Sequence, residues 1–468
     1  MTTEKEVYGY LPDEEPSTGR LVLYALQQVI VMFPATITVA LITGFQVSTT
    51  IFASGLATIC FILITKKKMP LYYGSSFAYL SAVSSMAMAE GTAEQIASWQ
   101  ATGILPAELI SKAQFGIIMS GFVSIAAGLI VKKCGKDAIE KLLPASITGS
   151  VSMIIGLTLS HSALGDFIST SGTTLENNLW LIVALVTLLS TVLYCRYLKG
   201  LLGQLPLLLG VLTGCAVAGI FYAIFDVNLF REVPAAALEA SIFKIGDGSI
   251  FALPAFTLPK FCWNSLVGIM PIAIATLPES TAHVYQLDIY VNNIAKEKGK
   301  GKYDIISLLP NNLIGDGLCD MISGFVGGPA GTNYGENIST MAITKVFSTK
   351  VLAVAAVFAM IISCFTPLIK VIYGIPTAVI GGIEVYCFGA IAAQGIAIMI
   401  DKNVSMFDSK NIAVIAIVMM VGLGGQYAFG GSVPFFGLTI PNIAAAAIAG
   451  ILVNALLSID FGKNKTTE

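Results

Sequence analysis

From about residue 21 to residue 457 the chain alternates long apolar runs with short polar breaks. A helix needs ~17 to 25 apolar residues to cross a bilayer, and fourteen such segments can be placed, near 21-43, 48-65, 70-88, 113-131, 144-160, 179-195, 206-225, 264-286, 305-325, 329-345, 350-373, 376-399, 411-428 and 436-457. Two of them carry a second pattern. The third opens with Pro70, Gly74, Ser75, Ser76, Phe77, Ala78 and Tyr79; the tenth opens with Pro329, Gly331, Thr332, Asn333, Tyr334, Gly335 and Glu336. Gly and Pro disfavour a helix interior by ~1 and ~3 kcal/mol relative to Ala. Each run is therefore expected to enter as an extended segment near mid-membrane and to turn helical from about Ser81 and about Asn337. Backbone groups freed at that depth need partners, which the two segments can give each other or a polar ligand. Both helices would then aim their positive ends at one point.

Composition agrees with a membrane protein: 55% of the 468 residues are hydrophobic, 12% are charged, and mean hydropathy is +0.81, too little polar surface for a soluble globule. The segment up to Arg20 is polar and acidic without a small-residue cleavage site, so the first run is predicted to be a true span. A net charge of -2 gives no sign of a nucleic-acid partner. The 8 cysteines are scattered, with no C-x-x-C, and read as small hydrophobes instead of metal ligands or a disulfide framework.

The 26 basic residues sort by side. Only Lys112, Arg231, Lys244, Lys260 and Lys370 fall in one alternate set of loops; the rest fall in the other set and the termini. Basic residues concentrate on the cytoplasmic side, which predicts cytoplasmic termini and an even number of spans. Fourteen spans divide into two sevens of opposite orientation, the inverted repeat of many secondary transporters. The two broken runs occupy the same ordinal place in each half.

Few ionisable groups lie inside the spans, where charge is costly and usually functional. Glu279 and His283 stand four apart on one helical face, as do Asp316 and Asp320. Glu336 lies in the polar break of the tenth run, Glu384 in the twelfth, and His161 at the outer end of the fifth. Lys345 reads as a cytoplasmic anchor.

Gly327–Ile338, followed by Met341–Thr349, resembles the signature of the nucleobase-cation symporter-2 family, also called nucleobase-ascorbate transporters, and is most similar to bacterial uracil permeases. The likeness extends to Gly74–Ala78, to Glu279 with His283, to Gly315–Gly317, and to Pro376 with Gly381 and Gly382. It implies an all-α integral membrane protein of fourteen spans in two inverted sevens, with short extended segments in spans 3 and 10. The implied parts are a cytoplasmic tail (1-20), a core domain (21-131 and 264-373), a gate domain (144-225 and 376-457) and a second cytoplasmic tail (458-468), in a homodimer in the cell membrane. It implies nucleobase uptake coupled to protons or sodium, with no enzyme activity, cofactor or metal. Residue by residue, it assigns Phe77 to contact with the base, Glu279 and Glu336 to accepting ring N–H groups, and Tyr334 and Gly335 to backbone contacts. His283 would orient Glu279, and Asp316 would serve coupling. Glu336 favours uracil, since xanthine and urate carriers tend to have Gln there. Gln28 stands where uracil permeases often have His. Uracil alternates N–H donors with carbonyl acceptors around a flat ring, which suits carboxylates, backbone N–H groups and an aromatic face.

Two other classes fit less well. An anion carrier of this architecture would place basic residues at the site, and an intramembrane enzyme would need a nucleophile-base pair or metal cluster. The chain has no H-E-x-x-H, no G-x-S-x-G and only 2 histidines. Two carboxylates in one desolvated pocket cannot both ionise cheaply, so Glu279 is expected to carry the coupling proton.

Overall fold

A computed structural model describes residues 9–135, 143–200, 202–232, 250–435 and 438–459. The outer parts of both expected tails and the middle of the 226-264 loop lie outside the described residues.

The chain folds as helices joined by short turns. The first half holds α1 (Thr18–Thr43), α2 (Val47–Ile64), β1 (Tyr73–Ser75), α3 (Leu80–Glu90), α4 (Ala93–Thr102), α5 (Ala107–Cys134), α6 (Ala145–Thr158), α7 (Ser160–Phe167), α8 (Thr174–Tyr197) and α9 (Pro206–Phe225). The second half holds α10 (Trp263–Gly268), α11 (Ala273–Glu297), α12 (Leu309–Val326), β2 (Gly331–Asn333), α13 (Gly335–Thr344), α14 (Thr349–Ser363), α15 (Thr366–Tyr373) and α16 (Thr377–Asp401). It ends with α17 (Ser409–Phe429), the hairpin β3 (Ser432–Phe435) and β4 (Leu438–Pro441), and α18 (Asn442–Leu457). Among the described residues, nine helical stretches are long and apolar enough to cross a membrane, and α14 and α18 are shorter apolar helices.

Four details differ from the sequence reading. The eighth run is broken: α10 stops at Gly268, a 3-10 turn follows at Met270–Ile272, and α11 continues to Glu297, past the expected end at 286. The eleventh is two helices divided at Cys364 and Phe365. The fourteenth, expected from 436, begins with β4, which pairs with β3 just before it, and turns helical at Asn442. Between α3 and α5 lies α4, too polar to register as a span, whose start is fixed by a reciprocal cap between Thr92 and Gln95.

Helix contacts recur in mirrored order. α2 packs on α14 and α5 packs on α12, so the second and fourth apolar segments meet the eleventh and ninth. Both contacts run through glycine. A Cβ on Gly55 would lie 2.5 Å from the Ala356 carbonyl oxygen, and one on Gly121 would lie 2.3 Å from that of Gly317. α6 meets α16 in the same way, with Gly149 against Gly395. Small residues let backbones approach where lipid supplies no hydrophobic drive between helices.

β1 and β2 pair antiparallel, Tyr73 with Asn333, Gly74 with Thr332 and Ser75 with Gly331. Ser76 N donates to Ala330 O at 3.0 Å and Tyr334 N to Tyr72 O at 2.9 Å, so the ladder continues past both strands. Gly74 is required: a Cβ there would fall 2.2 Å from the Tyr334 ring.

At the end of the molecule where α13 meets α14, residues 9–15 form a strap. Tyr10 N donates to Lys345 O at 2.8 Å, and Phe347 N donates to Tyr10 O at 2.7 Å. Leu11 is fully buried. Glu14 pairs with Lys298 and Lys300, each at 2.6 Å, and Glu15 pairs with Lys350. Burial pushes the Glu14 carboxyl up, but hydrogen bonds from Lys298, Lys300 and Leu11 N outweigh it and hold it at about 2, below its ordinary 4.5.

Two outcomes follow. Gly74→Ala should destabilise the folded protein by about 1–3 kcal/mol or more through overpacking against Tyr334, read as a lower midpoint of thermal unfolding in detergent. Because Glu14 is depressed in the fold, its stabilisation is present above pH 4.5 and is lost as pH falls toward 2. Hydrogen-exchange protection over residues 9–15, taken relative to the unstructured rate at each pH, should be high at neutral pH, fall across that window, and be low at neutral pH in Glu14→Gln.

Candidate functional site

The paired strands stop where two helices begin. After β1 the chain makes a 3-10 turn at Phe77–Tyr79 and enters α3; after β2 it enters α13 at Gly335. A helix's first N–H groups have no partner within the helix and carry its positive end. A cavity of about 330 Å³ opens at this junction, lined by Ser75–Ala78, Glu279, Thr332–Glu336 and, opposite, by Ser152, Ile155, Cys195, Leu207, Tyr386, Cys387 and Gln394.

Glu336 is the second residue of α13 and is exposed to this space. Glu279 follows Pro278, the proline inside α11, and is half-buried. Proline removes one rung of a helix and frees a carbonyl on the preceding turn, which lets α11 bend beside the strands. Phe77 contributes its ring at the mouth of α3. Thr332 Oγ1 and Asn333 Oδ1 are buried with no protein partner.

A buried network stands behind the cavity. Asn312, Asp316 and Asp320 lie at i, i+4 and i+8 on one face of α12 and are all buried. Asp320 accepts from the Tyr73 hydroxyl and, at 2.8 Å, from Gly331 N, so one carboxylate grips both strands. Asp316 accepts from the Ser280 hydroxyl and, at 2.8 Å, from Asn333 Nδ2. Asn312 closes the circuit, donating to Ser280 Oγ at 2.6 Å and accepting from Asn333 Nδ2 at 3.1 Å. Since Ser280 is the neighbour of Glu279, this network fixes the turn of α11 that holds the glutamate.

His283 is buried one turn beyond Glu279. Its Nε2 lies 3.0 Å from where a Cβ on Gly335 would sit, and its Nδ1 has no protein partner. The imidazole therefore packs against the start of α13. Tyr334 turns inward: its hydroxyl lies 2.9 Å from Thr36 Oγ1 and donates to Ser75 O at 3.0 Å. Its backbone N–H is already bonded to Tyr72 O, so this residue offers a ligand no backbone donor. Asn337 Nδ2 donates to Gln28 Oε1 at 2.7 Å and Gln28 O at 3.0 Å, tying α13 to α1.

Five of the residues singled out in the sequence, Phe77, Glu279, Tyr334, Gly335 and Glu336, thus meet at one cavity. His283 and Asp316 stand behind it. Sequence reasoning missed Asn312, placed Ser75, Thr332 and Asn333 in the broken runs without individual roles, and left Asp320 without a role. For Asn312 and Asp320 the available signal was their spacing of four on either side of Asp316. Among the described residues no group of three or more His, Cys, Asp or Glu could hold a metal ion.

The chain matches the family described as "Permease family" (Xan_ur_permease) across residues 19–431. It is 32% identical over 451 residues to the uracil permease of Bacillus caldolyticus, covering 95% of this chain and 93% of that one. It is 29% identical over 449 residues to the uracil permease of Escherichia coli (strain K12), covering 95% and 94%. Among solved structures it resembles the transmembrane domain of a cyanobacterium bicarbonate transporter, BicA, with a TM-score of 0.58 at 15% identity, covering 94% of this chain and 97% of that one. It also resembles murine Slc26a9, an anion transporter in the inward-facing state, with a TM-score of 0.60 at 14% identity, covering 95% and 69%. At such identities these likenesses establish the fold, a helical membrane-transporter fold built on an inverted repeat.

Asp320→Ala would leave the Tyr73 hydroxyl and Gly331 N–H buried without an acceptor, at about 1–3 kcal/mol for each group. Thermal unfolding in detergent should show a clear loss of stability, and an unchanged midpoint would contradict the clamp.

Proposed function

Because the chain belongs to the nucleobase-cation symporter-2 family of permeases, we propose that it imports a nucleobase, uracil, across the cell membrane by proton symport. It is a multi-pass membrane transporter and not an enzyme. The observation that carries the reading is the convergence of Phe77, Glu279 and Glu336 on one cavity beside the paired strands. Two carboxylates can accept the two ring N–H groups of uracil, the first-turn N–H groups of α13 can donate to a ring carbonyl, and Phe77 can cover the face.

The fourteen spans, the division into core (21-131 and 264-373) and gate (144-225 and 376-457), both cytoplasmic termini and a homodimer belong to the same proposal. The cavity runs along α16 to Gln394 and Ile398 and along α8 to Cys195, toward the ends that the distribution of basic residues assigns to the cytoplasm. In this arrangement the site faces inward. Protonation of Glu279 would remove a charge from a pocket that already holds Glu336 and favour closure of the core over the ligand. His283 and Asp316 would act behind it, the first by holding α13 against α11 and the second through Ser280. The core would then move against the gate, as in other inverted-repeat carriers.

A second reading, a xanthine or purine permease coupled to sodium, draws on cavity size: about 330 Å³ leaves room beyond a single pyrimidine ring.

Uptake of labelled uracil against labelled xanthine in a transport-deficient host separates the two, and preference for xanthine would overturn the uracil assignment. Glu336→Gln places an amide donor opposite a ring N–H, at about 1–3 kcal/mol, or roughly tenfold to over a hundredfold in affinity; equilibrium binding of uracil measures it. Glu279→Gln should abolish accumulation driven by a proton gradient.

A further inference from the structure

Away from the strands, the gate half encloses another acidic pair. Glu384 on α16 has 0% exposure, and neither carboxyl oxygen meets a hydrogen-bond donor. The group it faces is the carboxyl of Asp166 on α7, within hydrogen-bonding reach. α7 is pressed onto α16 one turn before Glu384, where a Cβ on Gly381 would fall 2.5 Å from the Asp166 carbonyl carbon. The Asp166 backbone is held from the other side by Trp180 Nε1, which donates to its carbonyl at 2.9 Å. Ionised carboxylates only accept hydrogen bonds, so two of them can share a buried contact only with a proton between them.

Among the described residues, one cation acts on the pair. Arg231 faces Asp166. Its backbone N–H donates to Gly374 O at 3.2 Å, and its guanidinium overlies Gly103 at the end of α4, where a Cβ would lie 2.1 Å from Nη2. α6, also packed on α16, brings no ionisable side chain; α7 brings His161 besides Asp166, α8 brings Glu176 at one end and Tyr194, Cys195, Arg196 and Tyr197 at the other, and α9 brings only Cys215 and Tyr222. Cys387, one turn after Glu384, faces both Glu384 and Glu336 and lines the cavity.

We propose that Asp166 and Glu384 hold one proton between them and form a second proton site for transport, loaded from the outer side past Arg231 and separated from the cavity by the Cys387 turn. The proposal rests on the symport reading. A proton arriving from outer water sits between the carboxyls and keeps α7 docked on α16. When it departs past the Cys387 turn to the inward-facing cavity, two charges are left in contact; Asp166 then pairs with Arg231, which also touches the core half at Gly103. Loss of the proton thereby latches the outer ends of core and gate together.

The test uses the full-length protein in liposomes, with Glu384→Gln and Asp166→Asn. Uracil accumulation under an inside-alkaline gradient should fall about tenfold or more in Glu384→Gln and lose its pH dependence, while uracil counterflow without a gradient stays within about twofold of wild type. Infrared spectra at neutral pH should contain a protonated-carboxyl stretch that vanishes in Glu384→Gln. Undiminished accumulation with the same pH profile, or an unchanged band, would overturn the proposal. Should Glu384→Gln fail to fold, Asp166→Asn carries the same readings. Wild-type protein that ignores the gradient would overturn the symport reading and the coupling role with it, whereas failure of the second proton site alone would leave wild-type accumulation intact.

Discussion

The rest of the structure depends on ten residues of backbone pairing with themselves in the middle of an apolar molecule. Tyr72–Ser76 and Ala330–Tyr334 are extended at a depth where lipid offers no hydrogen bonds, and each supplies the partners the other lacks. The pairing makes up the first part of both runs and turns the two helix starts that follow toward one place. Without it, neither the Phe77 ring nor the Glu336 carboxylate would be aimed at a common space.

Three kinds of residue make the pairing possible. Glycine gives closeness: Gly74 leaves room for the Tyr334 ring, and a Cβ on Gly331 would fall 2.3 Å from Gly74 O. Asp320 gives register, since it takes a donor from each strand. The Asp316–Asn333–Asn312–Ser280 circuit then couples the strands to α11, so the position of Glu279 follows from the same pairing. The mirrored packing of α2 on α14 and α5 on α12 places these parts symmetrically about the strands. The two strands come from opposite halves of the chain, so each broken segment finds its complement in the other half.

Much of this was legible in the residues. Proline, glycine and hydroxyl residues at Pro70–Ser76 and Pro329–Thr332 disfavour helix locally, so the breaks could be read without knowing the fold, and Glu279 and Glu336 stood out because charge inside apolar runs is rare. What escaped depends on contacts distant in sequence. Asp316 and Asp320 share the same spacing and chemistry, and only the fold reveals that one clamps the strands while the other supports α11. Tyr334 was expected to offer its backbone, but Tyr72 takes that N–H. α4 is short and mixed in polarity, so a search for spans passes over it. Leu438–Pro441 falls in a run apolar enough to read as helix; its extended form emerges from pairing, which apolar character does not distinguish from a buried helix.

The most direct test of the central claim is a structure of the protein determined by electron cryo-microscopy with uracil bound. The account predicts density for one flat ring between Phe77 and the first turn of α13, with its N–H edges on the carboxylates of Glu279 and Glu336 and the two strands still paired beside it. A ligand seated elsewhere, or unbroken helix through Phe77 and Tyr334, would contradict it.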